Sequence, residues 1–259
     1  YITMSDTFRL DEQVAIITGA TGGLGRAMAH AFAAAGAHLG LAELPALLDD
    51  ATALGHELAS AHSIQAVGVP MDVTNLPSIE AAVAQVEATL GPPDVLVANA
   101  GVNVPKAALE VTEDDWDRVL DVDLKGVFFS CQAAGRRMVA RGRGSIVTIA
   151  SQNGVIGYPY RAAYCSAKAG VVNLTRVLAL EWAAQGVRVN AVGPTFVETP
   201  LTQITLADPV IRDDILRRIP LGRLGTPEEV ANAVLFLASP AASLITGACL
   251  LTDGGWTAI

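Results

Sequence analysis

Cysteine, histidine and lysine are scarce in this chain, and each shortage excludes something. Three cysteines, Cys131, Cys165 and Cys249, stand far apart in 259 residues. They support neither a disulfide framework nor a metal site, so no metal is expected, and they suit a reducing cytoplasm. The four histidines, His30, His38, His56 and His62, all lie in the first quarter. No histidine follows Ser151, so the Ser-Asp-His order of a hydrolase is unavailable. Lysine occurs only at positions 106, 125 and 168, and no basic run appears. With a formal net charge of −9, the chain lacks the footprint of a nucleic-acid or anionic-membrane binder. No uninterrupted apolar stretch is long enough to span a bilayer. The opening Tyr1-Ile2-Thr3-Met4-Ser5-Asp6 lacks the charged start and apolar middle of a signal peptide. Residues 1–8 are expected to be a flexible start, or in part a remnant of expression ahead of Met4.

What is present is an alternation. The chain is 51% hydrophobic and 17% charged, enough for one large α/β domain. Short apolar runs at 14–18, 38–42, 64–70, 95–98, 145–150, 187–192 and 248–252 read as buried strands. Helical patterns fall between them at 24–35, 45–61, 77–90, 113–122, 125–140, 161–184 and 227–238. Residues 194–220 are less regular, with a short amphipathic helix at 210–218. Strict β-α-β order predicts a doubly wound parallel sheet of the Rossmann type, of about seven strands with helices on both faces. The whole chain, 1–259, reads as one domain.

The first strand runs into Thr18-Gly19-Ala20-Thr21-Gly22-Gly23-Leu24-Gly25. Glycines at this place permit a tight turn and let backbone N–H groups approach a pyrophosphate at a helix N-terminus. Glu43 ends the second strand, 18 residues after Gly25. A carboxylate there can accept from both adenosine ribose hydroxyls and repels a 2′-phosphate. The neighbouring Leu44 and Gly22 are not basic, which favours NAD over NADP. The alternative for Glu43 is a solvated turn carboxylate. Asp72, with Val73, follows the third strand, and Asn99-Ala100-Gly101 follows the fourth. Polar groups at successive C-terminal strand ends line the ligand crevice of an open α/β sheet, although each alone could be a helix cap.

Ser151 follows the fifth strand by the same rule. Tyr164 and Lys168 stand four apart, so on a helix they share a face. An ammonium beside a phenol favours the phenolate and lowers its pKa. The expected assignment gives Ser151 the substrate oxygen and Tyr164 the proton transfer. Lys168 would depress the tyrosine pKa and hold the nicotinamide ribose.

These residues resemble the short-chain dehydrogenase/reductase family over nearly the whole chain. The resemblance rests on Gly19, Gly23 and Gly25, Asp72, Asn99-Ala100-Gly101, Ser151, Tyr164, Lys168, and Pro194 with Thr199. It implies an NAD-dependent oxidoreductase acting on CH–OH groups, commonly a homotetramer. It also implies that the backbone near Val197 and the Thr199 hydroxyl touch the nicotinamide carboxamide, and that residues from about 194 to 220 form a mobile lid over substrate. Two positions depart from the family pattern. Asp123 stands where asparagine is usual, adding negative charge near Lys168 to a proton relay expected to survive with altered pH dependence. Thr195 replaces a common glycine and tolerates positive φ less well.

For substrate, Asn103, Asn153, Tyr158 and Arg161 fall near the expected crevice. Arg161 could reach a carboxylate; the alternative is an exposed helix-start arginine or a subunit contact. The C-terminal Asp253-Gly254-Gly255-Trp256-Thr257-Ala258 is similar to that of family members acting on polyols and sugar acids. The leading expectation is therefore a dehydrogenase for a polyol, sugar or sugar acid. The alternatives are a reductase of 3-oxoacyl thioesters or another hydrophobic ketone, and a catalytically weak NAD-sensing scaffold.

Overall fold

In the computed structural model, which describes residues 6–258, all seven expected strands pair in parallel. The apolar runs become β1 (Val14–Thr18), β2 (His38–Glu43), β3 (Ala66–Pro70), β4 (Val95–Ala98), β5 (Gly144–Ile149), β6 (Val187–Pro194) and β7 (Cys249–Thr252). Their order across the sheet is β3-β2-β1-β4-β5-β6-β7. The order reverses between β1 and β4, and in such sheets the crevice beyond the strand ends at this reversal takes ligands.

Period-two alternation sends neighbouring residues of a strand into two separate cores. Ile17, Leu41, Val97 and Val147 pack on one face against Met28, Phe32, Leu54 and Val234. Those partners come from α1 (Gly23–Ala34), α2 (Leu48–His62) and α9 (Pro227–Ala238). Ile16, Leu96, Ile146 and Val189 pack on the other face against Val83, Val86, Met138 and Val171. These belong to α3 (Leu76–Leu90), α5 (Val127–Arg141) and α6 (Ala162–Trp182). Several helix starts carry the caps their sequences encode. Thr112 and Asp115 form a reciprocal capping box on α4 (Glu113–Leu120), as Thr226 and Glu229 do on α9, which satisfies otherwise orphaned N–H groups.

Three expectations need correction. The helices expected at 113–122 and 125–140 are not separate: α4 continues into α5 through a π-helical turn, Asp121–Gly126. Its sequence contains no proline, and one wide turn absorbs the misfit without breaking the helix. The stretch 194–220 is more regular than its composition suggests. It holds α7 (Pro200–Leu206), begun by Thr199 with proline in its first turn, and α8 (Pro209–Arg218), capped by Asp208. The sixth strand runs two residues further than expected because Pro194 still pairs with Thr252. Of the first eight residues, 6–8 form a 3-10 turn, with the Phe8 ring 6.3 Å from that of Phe236; residues 1–5 lie outside those described.

Candidate active site

The glycine loop after β1 is shaped by what it cannot hold. Gly19 sits at φ +63°, and a methyl group at Gly25 would stand 2.1 Å from the Gly19 carbonyl oxygen. A methyl group at Gly23 would come within 2.8 Å of the Thr199 side chain. The helix that follows, α1, starts from Gly22 with no side-chain cap. Its leading N–H groups and the helix dipole therefore face the loop, an arrangement that fits a pyrophosphate. A groove of about 590 Å³ opens here, lined by Gly19, Thr21, Gly22, Gly23, Leu24 and Gly25. Glu43, Leu44, Asp72 and Val73 also line it, as do Asn99, Ala100 and Gly101. Asp123, Tyr164, Lys168 and Thr199 complete the set of sequence-predicted residues on it. Pro194 and Val197 line neither this groove nor the pocket beside it. The Pro194 carbonyl accepts from Ser151, and the Val197 carbonyl accepts from Thr202.

The polar side chains of the groove are largely tied to the protein. One Glu43 oxygen accepts from the Thr21 N–H and hydroxyl at 3.1 and 2.9 Å, and the other from the Leu44 N–H at 2.9 Å. Asn99 donates to the carbonyls of Thr18 and Gly19 at 2.9 and 3.0 Å. Asp72 accepts from the Thr74 N–H and hydroxyl. These contacts fix the loop and the strand ends, leaving the backbone and groove shape to receive a dinucleotide.

Tyr164 lies on both the groove and the smaller pocket. The Lys168 ammonium is 5.5 Å from the Tyr164 ring centre. It is almost fully buried, donates to the Ile149 carbonyl at 2.9 Å, and lies 3.0 Å from the Asp123 carboxylate. The second Asp123 oxygen accepts from the Val102 N–H at 2.7 Å. Burial works against the lysine charge, but Asp123 outweighs it, with help from Tyr164, and holds the ammonium above its usual pKa. Burial pushes the Tyr164 phenol up; Lys168 opposes this, Asp123 reinforces it, and Ser151 and Arg161 pull downward. The net direction is upward, contrary to the expectation from the tyrosine–lysine spacing. Asp123 shares the lysine charge, and the sequence spacing alone could not weigh burial against that charge.

The pocket beside Tyr164, about 70 Å³, has the opposite character. Ser151, Asn153 and Arg161 line it as expected, and Asn103 does too. Gln152, Thr195, Phe196, Thr202 and Thr205 also line it; Gln152 was missed, and the other four were expected only as part of the stretch covering substrate. Ser151 accepts from the Asn153 N–H at 3.1 Å, which fixes its hydroxyl beside the phenol. Among the described residues, nine buried side-chain polar atoms have no hydrogen-bond partner, and six lie on Asn103, Gln152, Asn153, Arg161 and Thr195. Thr195 is not among the residues with positive φ, so its side chain is accommodated without the strain expected of it. Tyr158 is not on the pocket. Its ring packs 5.5 Å from Phe196 and 5.8 Å from Trp256. Asp253 accepts from Gly255 and Thr257, and the turn it holds sets Trp256 against Phe196. The C-terminal motif thus braces a wall of the pocket.

A family model described as enoyl-(acyl carrier protein) reductase matches residues 19–257. The chain belongs to the short-chain dehydrogenase/reductase family. It is 43% identical over 251 residues to the D-threitol dehydrogenase of Mycolicibacterium smegmatis (strain ATCC 700084 / mc(2)155), covering 96% of this chain and 95% of that protein. It is 40% identical to the NAD-dependent glycerol dehydrogenase of Listeria innocua serovar 6a, with 96% of each covered. Among solved structures, a gluconate 5-dehydrogenase from Burkholderia cenocepacia J2315 in complex with NADP and tartrate superposes with a TM-score of 0.95. That match has 33% identity and covers 99% of this chain and 100% of the other. As a member of the short-chain dehydrogenase/reductase family, the chain is an oxidoreductase acting on the CH–OH group of a small-molecule alcohol with a nicotinamide cofactor.

The strand-end residues were found by one rule, that crevice groups follow the C-terminal ends of parallel strands. Gln152 lay one residue beyond Ser151 and was open to the same rule. Thr202 and Thr205 carried a helical spacing of three, but only within a helix the composition had obscured.

Proposed function

We propose that this chain is an NAD-preferring dehydrogenase of polyols, sugars or sugar acids. The observation that carries the reading is the position of Tyr164, which joins a dinucleotide-shaped groove to a small polar pocket. Ser151 holds the substrate oxygen, and Tyr164 takes the hydroxyl proton during oxidation or returns it during reduction. Lys168 orients and charges the phenol's surroundings and binds the nicotinamide ribose. Asp123 sets how much of the lysine charge the phenol feels. The nicotinamide supplies the hydride acceptor or donor.

Preference for NAD follows from Glu43, whose buried carboxylate lies on the groove and opposes a 2′-phosphate. The Listeria relative is named for NAD, whereas the Burkholderia structure holds NADP. The unpartnered polar lining disfavours a hydrophobic acyl substrate, because binding one would strand those groups. Residues 194–220, with α7 and α8, act as the lid. The enzyme works in the cytoplasm as a homotetramer.

A dehydrogenase screen of polyols, aldonates and hydroxyacyl compounds, run with NAD and NADP in parallel, tests the reading. Secondary polyols or aldonates are expected to turn over with NAD, and Tyr164→Phe to lose that turnover while still binding NAD. Equal or better rates with NADP would overturn the role of Glu43. A monomeric mass by light scattering at micromolar concentration would overturn the tetramer.

A further inference from the structure

Among the described residues, Arg161 is the only charged side chain lining the small pocket. It is 5% exposed, and among the described residues no carboxylate lies within ion-pair distance of it. One terminal nitrogen, Nη2, donates to the Thr205 hydroxyl of α7 at 3.2 Å. The other, Nη1, is buried without a partner. Its backbone is held by a bridge to Lys106, and the preceding Tyr160 stands at φ +61°, where a bulky residue is rarely found. An arginine does not deprotonate to escape burial, and a buried unpaired charge is costly to keep. The protein therefore maintains a full positive charge, with a free donor, in the cavity that holds Ser151 and Tyr164.

We infer that the missing partner is a carboxylate on the substrate, so that the favoured substrates are compact hydroxy acids rather than neutral polyols. This rests on the dehydrogenase reading above and narrows it. The guanidinium binds the acid end. The amide oxygens of Asn103, Asn153 and Gln152, each buried and unpartnered, accept hydrogen bonds from hydroxyls along the carbon chain. One unpaired positive charge matches one carboxylate, whereas a phosphate dianion would bring an excess negative charge into a cavity of about 70 Å³. The same guanidinium touches α7 through Thr205, so the group that reads the acid also contacts the helix over the pocket.

The test compares substrates differing only at the acid: threonate against threitol, and gluconate against glucitol, each with NAD. The unmodified enzyme is expected to favour the acid in kcat/KM by about ten-fold or more. Arg161→Gln should cut that acid-to-polyol ratio by about thirty-fold or more, and Arg161→Lys, which keeps the charge without the planar fork, should recover part of it. Calorimetry of threonate and gluconate binding to the NADH complex gives a readout independent of turnover, with a sugar phosphate as the competing anion. Acid binding that disappears in Arg161→Gln while NADH binding persists supports the inference, even if no alcohol turns over and the dehydrogenase reading itself fails. Polyol turnover with no preference for the acid, a ratio unmoved by Arg161→Gln, or tighter binding of the sugar phosphate would each overturn it.

Discussion

The groove and the pocket meet at Tyr164 yet treat polar side chains in opposite ways. In the groove, both Glu43 oxygens, the Asn99 amide nitrogen and one Asp72 oxygen are committed to the loop and strand ends. In the pocket, Asn103, Gln152, Asn153, Arg161 and Thr195 hold buried atoms without partners. A dinucleotide presents the same phosphates and ribose each time, so a rigid backbone cradle suffices. A substrate is recognised by polar groups held ready, at the expense of leaving them without protein partners. The groove is thus built for stability and the pocket for discrimination.

The largest test strikes the junction. Tyr164→Phe removes the phenol shared by both regions and should lower kcat by about a thousand-fold. NADH binding, followed by nicotinamide fluorescence, should hold, and a parallel loss of binding would show that the two regions are not separable there. Gly25→Ala attacks the groove alone. Its methyl group would collide with the Gly19 carbonyl, so the loop must shift, with a loss of about 1–3 kcal/mol in stability and a marked rise in KM for NAD. Thermal melting and initial rates check it, and an unchanged KM would mean the loop is not the cradle described.

Asn153→Ala probes the pocket in the reverse sense. Substrate KM should rise about five-fold, the worth of one hydrogen bond, while the melting temperature stays put because Oδ1 has no protein partner to lose. A fall in stability without a KM effect would assign the side chain to structure. The smallest effect is on pH dependence. Asp123 raises the Tyr164 phenol pKa, so Asp123→Asn should lower it and enlarge the phenolate fraction near neutrality. The rising limb of kcat/KM for alcohol oxidation should then move to lower pH, and a superimposable profile would rule out coupling between Asp123 and the phenol.

Much of the sheet was legible because its strands are short apolar runs separated by turns, and burial on both faces leaves a plain signature. The cofactor residues were legible for a related reason: they sit at fixed places relative to those strands. The pocket was less so. Thr202 and Thr205 come from a helix whose start at Pro200 lies in a polar stretch. Tyr158 was expected near the crevice by its place in the chain beside Arg161; its ring instead packs on Trp256, distant in sequence, a contact no local spacing encodes. The phenol pKa depends on a balance of burial, Lys168 and Asp123 in three dimensions, and no spacing encodes that balance.

The π-helical turn at Asp121–Gly126 acts as a phase shifter. A continuous α-helix would lock α4 and α5 into one angular register, yet α4 must face α6 while α5 faces α3. The wide turn lets each helix keep its own packing face and swings Asp123, between them, inward to Lys168. Removing one residue from the turn would restore an ordinary ladder and rotate one flank by about 100° relative to the other. Either Asp123 would lose its lysine or one helix would lose its neighbour, so the electrostatic setting of the phenol is tied to a single extra residue of backbone.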